Sequence, residues 1–146
     1  MDTIEFMTRD LELLKKRIHD VSSAYEAQDA GLTMTRSKEM FDAFSKRFSL
    51  EDFLLSKFTP SEAMRPHLKA FLDKRRSLRE RLEDMLMMHV SKPDYIKEVQ
   101  KLIHAADEHV KFLESTFHPE VIDKISKDDL ANMNHALEDR LHSVAL

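Results

Sequence analysis

The chain has 146 residues, 42% apolar and 34% charged, with a formal net charge of −4. That is material for a single domain spanning 1–146, with no general electrostatic attraction for nucleic acid. One glycine, four prolines and no cysteine exclude a hairpin-rich β fold, glycine-lined phosphate cradles, disulfides, thiolate metal sites and cysteine nucleophiles. No apolar run approaches ~18 residues and no secretory core is visible, so a cytoplasmic protein with no membrane span is expected.

The elements follow from apolar period and punctuation. Ile4, Met7, Leu11, Leu14, Ile18, Val21 and Tyr25 form one stripe, which predicts a helix from about Thr3 to Gln28 stopped by Gly31. A second helix is predicted from Thr35 to about Phe58, with Met40, Phe41, Phe44, Phe48, Leu55 and Phe58 on its inner face. Thr59-Pro60-Ser61-Glu62 marks a boundary. A short turn at residues 60–64 then leads to a third helix restarting at Pro66 and reaching about Val90, with a stripe of Leu68, Phe71, Leu72, Leu78, Leu82 and Met85. Ser91-Lys92-Pro93-Asp94 opens a fourth, carrying Ile96, Val99, Ile103, Ala106, Val110, Leu113 and Phe117 until Pro119 interrupts it. Ser126-Lys127-Asp128-Asp129 resembles a capping box, and a last helix through Leu130, Met133 and Leu137 ends at about Leu141. Short connections between long amphipathic helices imply antiparallel neighbours. The expected fold is all-α, an up-down antiparallel four-helix bundle with a short C-terminal helix.

Function is sought where polar groups fall on buried stripes. Glu51 falls among Phe41, Phe44, Phe48, Leu55 and Phe58. A carboxylate there is paired, metal-bound or protonated, because an isolated buried charge is costly; near the bundle end it reaches water instead. His109 and Glu114 flank the apolar arc of the fourth helix, about 140° apart, either leaning inward or solvated at their tips. His67 lies beside Met64, Leu68 and Phe71, pointing inward or capping the helix start. Arg75 sits between Phe71, Leu78 and Leu82, a partner for a buried acid or a side chain that reaches outward. His104 reads as surface, His118 as part of a loop before Pro119, and His135 and His142 as belonging to the last helix.

The order of these residues resembles the hemerythrin-like, HHE cation-binding family. His109-Val110-Lys111-Phe112-Leu113-Glu114-Ser115-Thr116-Phe117-His118-Pro119 is similar to that family's His-x3-Glu-Glu-x3-Phe-Pro segment, and Arg47-Phe48-Ser49-Leu50-Glu51-Asp52 to its His-Phe-x-x-Glu-Glu. The resemblance implies a dinuclear iron site of about five His and two bridging carboxylates, which this chain departs from. Leu11 stands for the first-helix His, Arg47 for the second-helix His and Leu113 for the first carboxylate after His109. His118 occupies the place of the motif's Phe, with Phe117 one position early. Glu51, His67, His109 and Glu114 remain as candidate metal ligands. A guanidinium stays protonated and cannot ligate metal; Arg47 beside Glu51 would replace the metal by a salt bridge.

Two readings follow. In the first, the chain is a non-enzymatic binding or sensing domain whose metal centre is lost or reduced, acting through a protein partner or a small ligand. In the second, Glu51, His67, His109 and Glu114 hold one iron or zinc ion that binds a diatomic ligand such as O2 or NO. A further alternative is a histidine phosphotransfer bundle using His67, in which His67-Leu68-Lys69-Ala70 lacks the usual spacing and glycine. The strip Lys74-Arg75-Arg76 with Arg79 and Arg81, interleaved with Glu80, Glu83 and Asp84, reads as a solvated face. Leu86, Met87 and Met88 are apolar beyond one helix face and offer a homodimer surface.

Overall fold

A computed structural model describes residues 2–88 and 94–145, with the backbone alone at 96 and 143–145. It is all-helical over these residues. The elements are α1 (Thr3–Glu26), α2 (Ala30–Leu55), α3 (Arg65–Met87), α4 (Tyr95–Phe112), a π-helical turn (Leu113–Phe117), α5 (His118–Lys124) and α6 (Lys127–Ala145). The expected end of the third helix at Val90 and the Ser91-Lys92-Pro93 boundary lie outside the described residues, as does the Ile96 side chain. No helix among the described residues is long and apolar enough to cross a membrane.

Local chemistry sets the ends. Asp2 caps α1 through its carboxylate, which accepts from the Ile4 and Glu5 amides. Asp29 caps α2 by accepting from Leu32 at 2.9 Å. α2 therefore starts five residues before the expected Thr35, and Gly31 lies inside it. The reversal instead uses Gln28, whose φ of 58° is the left-handed conformation a glycine would take at less cost. Ser126 accepts from the Asp129 amide at 3.0 Å, which holds the start of α6 as its capping box predicts.

α4, the π turn and α5 run as one uninterrupted rod through Pro119, where the sequence predicts a break. Proline lacks an amide hydrogen, and its ring collides with the carbonyl four residues back in a regular helix. The π turn widens the rod just before that point. The His118 amide donates to the Leu113 carbonyl, five residues back, in place of the usual four.

α1 packs on α2 and α4, and α3 packs on α4 and α2. One core joins them, including Leu11, Leu14, Ile18, Phe44, Phe71 and Val110. Leu72, expected on the inner stripe, is 36% exposed. α6 buries a second, smaller cluster centred on Leu54, Met133 and Leu137. Met87 is 88% exposed and Leu86 38%.

Candidate functional site

Several of the residues that break the apolar pattern meet in one buried cluster between α1, α2, α3 and α5. Arg47 and Glu51, one turn apart on α2, are both buried, and Arg47 Nε donates to Glu51 Oε2 at 3.0 Å. Arg75 of α3 reaches the other carboxylate oxygen at 3.4 Å and also donates to Asp52. The rest of the Arg47 guanidinium is used as well. It donates to the Met7 carbonyl at 2.8 Å and Asp10 at 3.0 Å on α1, and it lies 3.1 Å from His118 Nε2. Since a guanidinium only donates, that ring nitrogen accepts, so His118 is neutral with its proton on Nδ1. Burial, then the charge of Arg47, hold its pKa down at about 4. Burial pushes the Glu51 carboxyl above its ordinary value, and the two guanidiniums beside it pull it back. Such a network is stable because each charge removed from water meets an opposite charge or a fixed dipole.

His109 is the contrasting case. It is 4% exposed, and neither ring nitrogen has a hydrogen-bond partner among the described residues. Its ring is enclosed by Phe48 at 6.3 Å, Phe71 at 6.4 Å and Phe44 at 6.5 Å between centroids. Phe71 in turn stacks on Phe117 at 4.1 Å. The imidazole is held neutral: burial first, then Arg47, Arg75 and Lys74, lower its pKa to about 4.

The four candidate metal ligands do not converge. Glu51 is held by the two arginines. Glu114 lies at the surface with Lys15, 2.9 Å away, and His67 is partly exposed with its Nε2 3.4 Å from Glu120. Among the described residues no group of three or more His, Asp or Glu side chains is arranged to hold a metal ion. The physical reason is angular. His109 and Glu114 leave α4 and the π turn in different directions, one into the aromatic core and one to solvent.

Of the two expectations for Arg75, the structure shows the partner of the buried acid, and His104 is exposed as expected. Asp10, His118 and Thr3 were missed. His118 carried a signal in its place before Pro119, where a π turn can keep a helix running. Asp10 and Thr3 carried none, being polar residues at the edge of the first apolar stripe.

A partly open cavity of about 50 Å3 lies beside the network, between α1, α2, α3, the π turn with α5, and α6. Thr3, Met7, Glu51, Phe71, His118 and Met133 are in its wall. Comparison with protein-family models, with curated proteins and with solved structures finds no match.

Proposed function

We propose that the chain is a non-enzymatic binding or sensing domain of hemerythrin-like descent, in which a buried arginine–carboxylate network takes the place of the metal centre. Two features support the architecture, an up-down antiparallel four-helix bundle with a C-terminal helix. The long helices are joined by short connections, and α1, α2, α3 and α4 pack in a closed ring of neighbours. The descent rests on the motif resemblance in α2 and in α4 through α5.

The observation that carries the reading is Arg47. It stands where the family places a second-helix His, and it holds the Glu51 carboxylate at 3.0 Å. A di-iron group does not fit this donor set. The guanidinium occupies the acid's inner oxygen and cannot ligate, while Glu114 and His67 are engaged elsewhere. The absence of cysteine and the neutral, enclosed state of His109 leave the site's residues suited to structure and recognition, with action through a protein partner or a small ligand.

One observation favours the mononuclear alternative, the two unpartnered nitrogens of His109. It requires Glu51 to leave both arginines. Elemental analysis of protein purified with iron and zinc present, together with an absorption spectrum, separates the two readings. The proposal expects no stoichiometric metal. A stoichiometric ion that disappears in both Glu51→Ala and His109→Ala overturns it.

A further inference from the structure

Of the four neighbouring helix pairs, α2 and α3 are the least closely apposed. An open groove of about 370 Å3 runs between them. Phe48 and Leu82, 3% and 2% exposed, form its floor, and Ser45 and Ser49 line the α2 wall. The α3 wall belongs to a row at three- and four-residue spacing, which keeps side chains on one flank of a helix. Arg65, Lys69, Arg76 and Arg79 stand in this row and all are exposed. Leu72 and Leu86, 36% and 38% exposed, stand between and beyond them, and Glu83 is the one acid. Among the described residues none of the four cations has an ion-pair partner. Glu80 and Glu83, each four residues on from an arginine of the row, pair with neither. Arg79 lies over the Phe48 ring at 5.1 Å, which leaves the edge of its guanidinium free to donate. From the other side, Arg140 of α6 donates to Ser49 at 3.3 Å.

We infer that this groove docks an acidic amphipathic helix of a partner protein. Charge selects the partner. The chain carries −4 overall, yet this row sets four cations against one acid along about 30 Å of α3. Carboxylates arriving at unpaired guanidiniums form charge-assisted hydrogen bonds. Shape selects a helix. Two packed helices offer no free backbone edge to an extended strand, whereas a groove between them accepts the side-chain ridge of a third helix. The apolar floor lies below the rim, so a ridge reaches Phe48 and Leu82 and a flat bilayer meets the rim alone. A second copy of the chain is disfavoured, because it would bring the same four cations against this row. Glu83, near the C-terminal end of the row, gives the docked helix a direction, with a basic residue of the partner at that end.

The inference deepens the protein-partner reading given above and rests on it for its biological role. The two fail separately: a stoichiometric metal overturns that reading and leaves the groove as it is, whereas the groove is tested by peptide binding. The probe is a synthetic helical peptide of about six turns, matched to the row, with Leu once per turn on one face and Glu on both sides of it. Its counterpart has Lys in place of Glu. Both are labelled and titrated with the full chain, with fluorescence anisotropy as the readout. The Glu peptide is expected to bind saturably, at least about tenfold tighter than the Lys peptide and more weakly as salt rises. Arg76→Glu combined with Arg79→Glu is expected to weaken it at least about tenfold, since like charges then face each other. Arg81→Glu, at an exposed residue outside the row, is expected to change it less than about twofold. Ser45→Trp, which fills the groove from α2, is expected to abolish binding while helical circular dichroism is kept. The inference is overturned by the absence of saturable binding of the Glu peptide, by an equal loss in Arg81→Glu, or by a folded Ser45→Trp variant that binds as the parent does. It is also overturned if phosphatidylserine vesicles bind more tightly than the peptide and lose binding in the Arg76, Arg79 double variant. A dimer in sedimentation that this double variant dissociates would give the groove to a second copy and overturn it too.

Discussion

The two buried polar regions at the centre of the molecule lie side by side and are built on opposite terms. Around Arg47 and Glu51, charges are kept because α1, α2, α3 and α5 each bring a partner. Around His109, none of the described residues brings a partner, and the ring survives by staying neutral inside a box of phenylalanines. The difference shows two physical answers to one problem. A permanently charged side chain must be surrounded by acceptors, whereas an imidazole can give up its proton and be packed like an aromatic ring.

Substitutions at these two places, and at the surface pair outside them, test the contrast. The largest effect is expected from Arg47→Ala, which leaves Glu51 with one guanidinium and Asp10 and His118 without theirs. It should lower unfolding free energy by roughly 3–5 kcal/mol in chemical denaturation. Arg47→Met combined with Glu51→Met should recover more than half of that loss, because it removes the orphaned charge together with its partner. A double variant as unstable as the single one would show that the network is not a unit.

The next effect depends on pH. The folded His109 has its pKa lowered to about 4, and the unfolded residue titrates near 6.5. The unfolded chain therefore takes up the proton first as pH falls. The contribution of this residue is complete above about pH 6.5 and is lost progressively down to about pH 4, by at most about 3 kcal/mol. Comparing stability against pH for the parent and His109→Leu isolates it. At pH 7 the leucine variant should be more stable by about 1–2 kcal/mol, since an unpaired polar group is removed. A destabilised leucine variant would place a partner on the ring. The smallest effect is expected from Glu114→Gln and His67→Asn, which touch only exposed or half-exposed pairs. Neither should shift the unfolding midpoint measurably.

The helical class and most of the inner stripes were readable from residue order, because amphipathic period is a property of the sequence itself; for Glu51 the sequence left burial and solvation both open, and the structure buries it beside two arginines. What was not readable depended on geometry between elements. The start of α2 was missed because Asp29 caps as well as Thr33 or Thr35 would, and the glycine two residues on drew the boundary to itself; Gln28 then carries the left-handed turn. The sequence places His118 in a loop because Pro119 ordinarily ends a helix, and nothing in residue order states that a π turn carries the rod through it. Glu114 was paired with His109 by motif, yet nothing in the sequence states that Lys15 of α1 lies across from it.

The widened turn at Leu113–Phe117 has a consequence for length variation in this chain. It stores one extra residue without moving the helices it joins. A deletion of any single residue there would restore regular winding, but it would drive the Pro119 ring against a backbone oxygen and swing the His118 imidazole away from the guanidinium it accepts from. The spacing between the two halves of the rod is thus fixed to the residue, and a homologue one shorter in this stretch is expected to have also lost the proline.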